Sequence, residues 1–288
     1  MPFDLIHTHN ENAEFLTTEQ LREQVPAAFS DHASPEVSDR YGFISTAAAI
    51  DILAENGFHA TKAIQKPSRN SGNELYNDHM ITFASANRFE GDGERGTLTL
   101  YNSNNARSSC KLYAGVYRFI CSNGIVAGEG FEAKMRHSKL TANGFNDLVN
   151  DQAQQLAPML ERIALMKTKE VSPADCLTFA RGAATLRWSQ DPTDIQFFPD
   201  VISEPKGSYA NHQTVLDLER ATRYGDQGPS LWRLFNRTQE GLVRGGVRLR
   251  SYTKAAPQGK TRKARPIAAL AETVRVNRKL WDAADALA

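Results

Sequence analysis

Apolar residues recur at helical spacing through the second half of the chain. In GFNDLVNDQAQQLAPMLERIALMK, Phe145, Leu148, Val149, Leu156, Leu160 and Ile163 fall in one stripe, and Pro158 is expected to kink the helix or restart it. Ser172 and Pro173 supply a cap and a first-turn proline for PADCLTFARGAATLRW, and the Asp- and Pro-rich QDPTDIQFFPD then reads as a loop. A helix is expected around QTVLDLERATRY, followed by a Gly-Asp-Gln-Gly-Pro turn. In SLWRLFNRTQEGLVRGG, Ser230 caps, Leu231, Phe235, Gln239 and Leu242 share a side, and Gly245-Gly246 stops the helix. AETVRVNRKLWDAADAL repeats the pattern with Val274, Asn277, Trp281 and Ala284.

The first half has a different rhythm. Thr17 with Gln20 makes a capping-box start to a short helix interrupted by Pro26, and Ser45 or Thr46 caps TAAAIDILAEN, with Gly57 where a left-handed residue ends it. FHATKAIQK, HMITFASA and GTLTLY alternate or are β-branched, and the turn-rich PSRNSGN and EGDGERG separate them, so they read as antiparallel strands. KLYAGVYRFIC fits either period. Alternation puts Tyr113, Gly115, Tyr117 and Phe119 on one face, whereas helical spacing aligns Leu112, Val116 and Phe119 or Ile120. If it is a strand, Asn123-Gly124 suits a tight hairpin turn; if a helix, Gly124 ends it.

These patterns predict an α+β fold, with a small antiparallel sheet and helices in the N-terminal half and a mostly helical C-terminal half. Four parts are expected: an arm and short helix over 1–40, a sheet-containing core over 41–142, a helical part over 143–243, and a basic connector with a terminal helix over 244–288.

Charge sharpens the picture. The formal net charge is +1, yet Arg244 to Ala288 holds eleven Lys or Arg against three acids, which is +8 and leaves −7 on the residues before it. Such asymmetry points to a polyanion at the basic end. Three widely spaced cysteines, Cys110, Cys121 and Cys176, argue against a disulfide framework, and the sequence shows neither a signal-peptide pattern nor about 18 consecutive apolar residues. A cytoplasmic protein without membrane partners is expected.

Catalytic formulas fit poorly. GIVAGEG and GDGERG lack the Walker lysine and the GxGxxG spacing, so both read as turns. The seven histidines lack HExxH spacing; His7 and His9 alternate, but two ligands are too few for a closed site. Cys121 sits between Ile120 and Ser122 and reads as a small buried hydrophobe, and Asp147 with Asp151 reads as a solvated helix face. No cofactor or metal is expected. The basic end carries the functional expectation: Arg244, Arg248, Arg250, Lys254, Lys260, Arg262, Lys263 and Arg265 fall in a span without an acid. With Arg118, Lys134, Arg136 and His137 they are candidate nucleic-acid contacts, and Tyr252 or Tyr117 is available to stack on a base. The competing reading makes GVRLRSY a strand or connector whose arginines pair with acids of the same chain.

RFICSNGIV, the segment ending KMRH, LWRLFNRTQEGLVRGG and RKLW together resemble an uncharacterised phage/plasmid-like family encoded on prophages and conjugative elements, from about residue 40 onward. The resemblance implies a mobile-element protein of the bacterial cytoplasm and transfers no catalytic role. Relatives of this kind carry a Ser-His-Asp-Gly-Ser run where this chain reads SNNARSS, with Asn104 and Asn105 at the His and Asp positions. The leading expectation is a non-enzymatic DNA-binding protein, preferring single strands. A protein-binding effector that uses the acidic front against a host factor is the alternative, and a metal-dependent nucleic-acid enzyme comes third. Self-association is compatible with all three.

Overall fold

A computed structural model describes residues 15–38, 41–67, 73–85, 90–91, 94–118, 121–126, 132–135, 142–191 and 207–288. The chain forms two compact units, Met1–Gly124 with Phe131–Ala157, and Ile125–Gly130 with Pro158–Ala288.

In the first unit, Thr17 Oγ1 accepts a hydrogen bond from the amide of Gln20, whose side-chain Oε1 accepts one from the Thr17 amide, and this capping box starts α1 (Thr18–Gln24). Pro26 then begins a 3-10 turn, Pro26–Phe29. Ser45 caps α2 (Thr46–Glu55), and Gly57 at φ +78° releases the chain into β1 (Phe58–Gln65). The remaining strands are β2 (His79–Ser85), β3 (Glu90–Gly91), β4 (Glu94–Asn102), β5 (Cys110–Arg118), β6 (Cys121–Val126) and β7 (Glu132–Met135). They run in the order β1-β2-β4-β5-β6, with β3 on β4 and β7 on β5.

KLYAGVYRFIC is therefore a strand over its described part. Register explains the choice: Phe83 faces Leu98, Leu98 faces Ala114, Ile81 faces Leu100 and Leu100 faces Leu112, so one face of three strands is a continuous buried layer. Helix α3 (Ala142–Gln154) packs on β5 and α2, and contributes Phe145 and Val149 to this core. The expected hairpin turn at Asn123-Gly124 is corrected. Both residues lie inside β6, where strand pairing outweighs the local turn preference of an Asn-Gly pair.

A polar latch holds the entry to α2. Buried His79 hydrogen-bonds through Nε2 to Thr46 Oγ1 at 2.9 Å and through Nδ1 to the Asn77 carbonyl at 3.0 Å. Asn102, opposite His79 in the sheet, donates to Thr46 Oγ1 and to the Ile44 carbonyl. Burial lowers the His79 pKa, which keeps the ring neutral inside this network.

Of the two outcomes expected at Pro158, a kink or a restart, the structure takes the restart. α3 ends at Gln154, and α4 (Leu156–Thr168) restarts with Pro158 in its first turn, where a missing amide costs nothing.

In the second unit, Ser172 caps α5 (Pro173–Thr185), and the pair β8 (Ser189–Gln190) and β9 (Gly207–Ala210) flanks a stretch, 192–206, outside the described residues. Asn211 caps α6 (His212–Glu219), Ser230 caps α7 (Leu231–Arg244), β10 (Arg248–Thr253) and β11 (Ala256–Lys263) follow, and α8 (Leu270–Asp285) ends the chain. Helix α7 is central. Its Trp232 stacks on Phe235 with centroids 5.4 Å apart, and Phe235 meets Trp281 of α8 edge to face at 6.1 Å. Gln239 donates to Asn277 Oδ1 at 2.7 Å, so the one polar position in each predicted stripe meets the other. Arg237, also buried, donates to the carbonyls of Asp226 and Gly228.

The basic stretch is not a flexible connector. β11 pairs β10, β10 pairs β9 and β9 pairs β8, antiparallel except for the two-residue parallel contact of β8 with β9. The helical part and the basic part expected on either side of residue 243 thus share one unit, because α6 packs on β9 and β10 while α7 packs on α8. Gly245 makes the corner: φ is +76°, and a Cβ there would stand 2.5 Å from the Ala264 carbonyl oxygen.

Candidate nucleic-acid interface

Strand β11 is the outer strand of the second unit's sheet, exposed along most of its length, and its charges follow from register. Lys263 stands opposite Arg248 and shares a face with Arg248 and Arg250, whereas Arg262 and Lys260 stand opposite buried Leu249 and Ser251 on the other face. The hairpin therefore presents cations on both sides. Lys254 lies at its turn and Arg265 two residues past its end, both exposed. Among the described residues no salt bridge involves Lys254, Lys260, Arg262, Lys263 or Arg265.

The inner strand is tied down instead. Arg248 donates from Nε to Asp217 Oδ2 at 2.9 Å, and its amide donates to the same oxygen at 2.8 Å, which fastens β10 to α6. Burial pushes the Asp217 pKa up, but the hydrogen bonds and charge of Arg248 outweigh it and hold the carboxyl below the usual range. Arg250 donates to the Gln258 carbonyl across the hairpin, and Arg244 lies 3.6 Å from Glu240, which also accepts from Arg223 at 2.8 Å. For Arg248 and Arg244 the intramolecular pairing weighed against nucleic-acid contact is what the structure holds, with α6 and α7 supplying the acids.

Tyr252 is corrected as a stacking residue. Its ring is 5% exposed, lies edge-on to Tyr209 at 5.8 Å, and its hydroxyl is bonded to Asp191. Gly259 lets the outer strand close over it, since a Cβ there would come within 2.7 Å of the Tyr252 ring. Among the described residues of the second unit, the large aromatic ring most open to solvent, which the sequence pattern did not single out, is Tyr224, 89% exposed in the 3-10 turn Tyr224–Asp226.

The other candidates belong to the first unit. Arg118 ends β5 opposite Glu94, and Lys134 lies on β7 opposite Lys111. Arg136 and His137 are outside the described residues, as are His7 and His9. Tyr117 pairs Arg95 in the sheet. Cys110 and Cys176 are free and buried. Burial pushes the Cys110 thiol up to about 12 and raises that of Cys176 despite the neighbouring Arg237, so both are protonated, structural side chains at neutral pH. Among the described residues no three His, Cys, Asp or Glu side chains converge as metal ligands do. None of the helices among those residues is long and apolar enough to cross a membrane.

Two strand systems backed by helices, one of them closed by a cation-bearing edge strand, define an α+β protein. The chain belongs to the family described as a domain of unknown function (DUF932), whose model matches residues 35–281. Among curated proteins it is similar to the UPF0380 proteins YafZ and YfjQ of Escherichia coli (strain K12), each 27% identical over 282 residues covering 94% of this chain and 91% of the relative. No solved structure matches.

Proposed function

We propose that the chain binds nucleic acid, single-stranded DNA foremost, through the β10–β11 hairpin, as a non-enzymatic component of phage or plasmid DNA metabolism in a bacterial cytoplasm. The observation that carries this reading is the set of five exposed cations, Lys254, Lys260, Arg262, Lys263 and Arg265, on or beside a paired hairpin, with no acid in the span from 244 to 265. A two-stranded ribbon with charge on both faces can follow a phosphate backbone without reading bases, so affinity is set by counterion release and is tolerant of sequence. The mobile-element setting rests on the motif resemblance.

The test is fluorescence anisotropy with labelled single-stranded and duplex DNA across a salt series. Binding to single strands is expected to weaken with salt at a slope of roughly −0.7 per neutralised phosphate. A variant with Lys260→Glu, Arg262→Glu and Lys263→Glu is expected to lose about two units of that slope. Absence of binding at low salt, or an unchanged slope in the variant, overturns the proposal.

A further inference from the structure

A concave surface lies wholly within the first unit, far from the hairpin in sequence. It is a cleft of about 510 Å³ at one end of the sheet, within the range that holds small ligands. Four separate segments build it: the stretch after α1, the end of β1, the turn leading into β2, and the turn from β4 to β5. Two hubs hold them together. Gln65 accepts from the Ala27 amide at 2.9 Å and donates to the Glu74 carbonyl at 2.8 Å, while Asn104 donates to the carbonyls of Ala27 and Leu75.

The lining carries charges of both signs. Lys66 and Arg107 are exposed cations, and Lys66 Nζ lies 3.9 Å from Asp78 Oδ2, an ion-pair distance too long for a hydrogen bond. Asp78 and Glu36 supply carboxylates. Tyr76 supplies an aromatic face, and its hydroxyl is held 2.9 Å from Nε2 of His32, whose other ring nitrogen contacts Asp31. Asn105 and Arg107 flank Ala106, which at φ +59° is the one non-glycine residue with positive φ among those described. A β-carbon is disfavoured in that conformation, and strain of this kind concentrates where a turn is shaped for a ligand.

We propose that this cleft binds a nucleoside monophosphate whose base carries an exocyclic amino group. The phosphate is taken by Arg107, the base lies against the ring of Tyr76, and Glu36 or Asp78, which also holds Lys66 at 3.9 Å, accepts from the amino group. Carboxylates in that place select against uracil, whose Watson–Crick edge places carbonyl oxygens beside its single N–H. The site does not depend on the hairpin and is a property of the first unit alone.

Isothermal titration of the full chain with CMP, UMP and inorganic phosphate tests it. CMP is expected to saturate and to bind at least about ten-fold more tightly than UMP or phosphate, the discrimination of one charge-assisted hydrogen bond. Arg107→Ala is expected to weaken CMP by about ten-fold, and Asp78→Asn to abolish the preference over UMP; if Asp78→Asn does not fold, Glu36→Gln at the exposed acid is read in its place. The hairpin variant with Lys260→Glu, Arg262→Glu and Lys263→Glu should keep CMP binding intact, and its loss would assign the nucleotide to the hairpin and overturn the cleft. Equal affinity for CMP and UMP, no saturation by either, or no effect of Arg107→Ala also overturns it.

Discussion

The hydroxyl of Tyr252 donates to Oδ1 of Asp191 across 2.8 Å, in a place where both side chains are shut away from solvent. The bond spans 61 residues and fastens the middle of the basic hairpin to the end of the segment after α5. Tyr252→Phe keeps the ring and removes the donor, leaving a buried carboxylate short of a charge-assisted partner. A loss of about 1.5–3 kcal/mol is expected in urea unfolding, with the salt slope of DNA binding unchanged.

Ala106 offers the opposite experiment. Its left-handed backbone costs an alanine roughly 1–2 kcal/mol and a glycine nothing, against which glycine's greater unfolded freedom takes back about half. Ala106→Gly should therefore stabilise the chain by about 0.5 kcal/mol, read as a higher urea midpoint at constant m value.

His79 makes stability depend on pH with a definite sign. Burial lowers its folded pKa, so below the ordinary histidine value of about 6.5 the unfolded chain takes up a proton that the folded chain refuses. Its contribution is fully present above that value and is lost as the pH falls, at up to about 1.4 kcal/mol per pH unit. Comparing unfolding free energies between pH 7 and 5 in wild type and His79→Gln checks this: the wild-type slope should be steeper.

Gly245 and Gly246 separate backbone from side-chain effects. Both have positive φ, but a Cβ on Gly245 would run into the Ala264 carbonyl whereas one on Gly246 meets open space. Gly246→Ala is expected to cost about 1–2 kcal/mol and Gly245→Ala distinctly more, with thermal unfolding as the measurement.

Local signals carried the helices. Ser172, Ser230 and Gly245 stand where cap chemistry requires them, and all four members of each stripe on α7 and α8 are buried. The α7 motif that supported the family resemblance is scaffold: Trp232, Phe235 and Gln239 hold the second unit together. What failed was a local preference overruled at long range. Asn123-Gly124 prefers a turn by itself, and a neighbouring strand extends it. The cations of the hairpin were legible as charge, but their sorting onto two faces follows from the register of β10 with β11, and the burial of Tyr252 follows from a partner 61 residues away. Of the four segments between Ser34 and Arg107 that line the cleft, only SNNARSS stood out in the sequence, by its departure from the run of its relatives, and the other three form no motif by themselves.

Strand β11 is also the end of its sheet, and the described residues show no further strand on its outer side. A terminal strand of eight residues has a row of backbone donors and acceptors ready to recruit the same strand of another copy. Lys260, Arg262 and Lys263 then act as a mutual-repulsion fence between molecules, whatever else they bind. Neutral replacements at these positions would lower the fence and invite edge-to-edge clumping, and a polyanion lying along the strand, as in the proposed DNA complex, would lower it in the same way, which would couple the proposed loading to self-association.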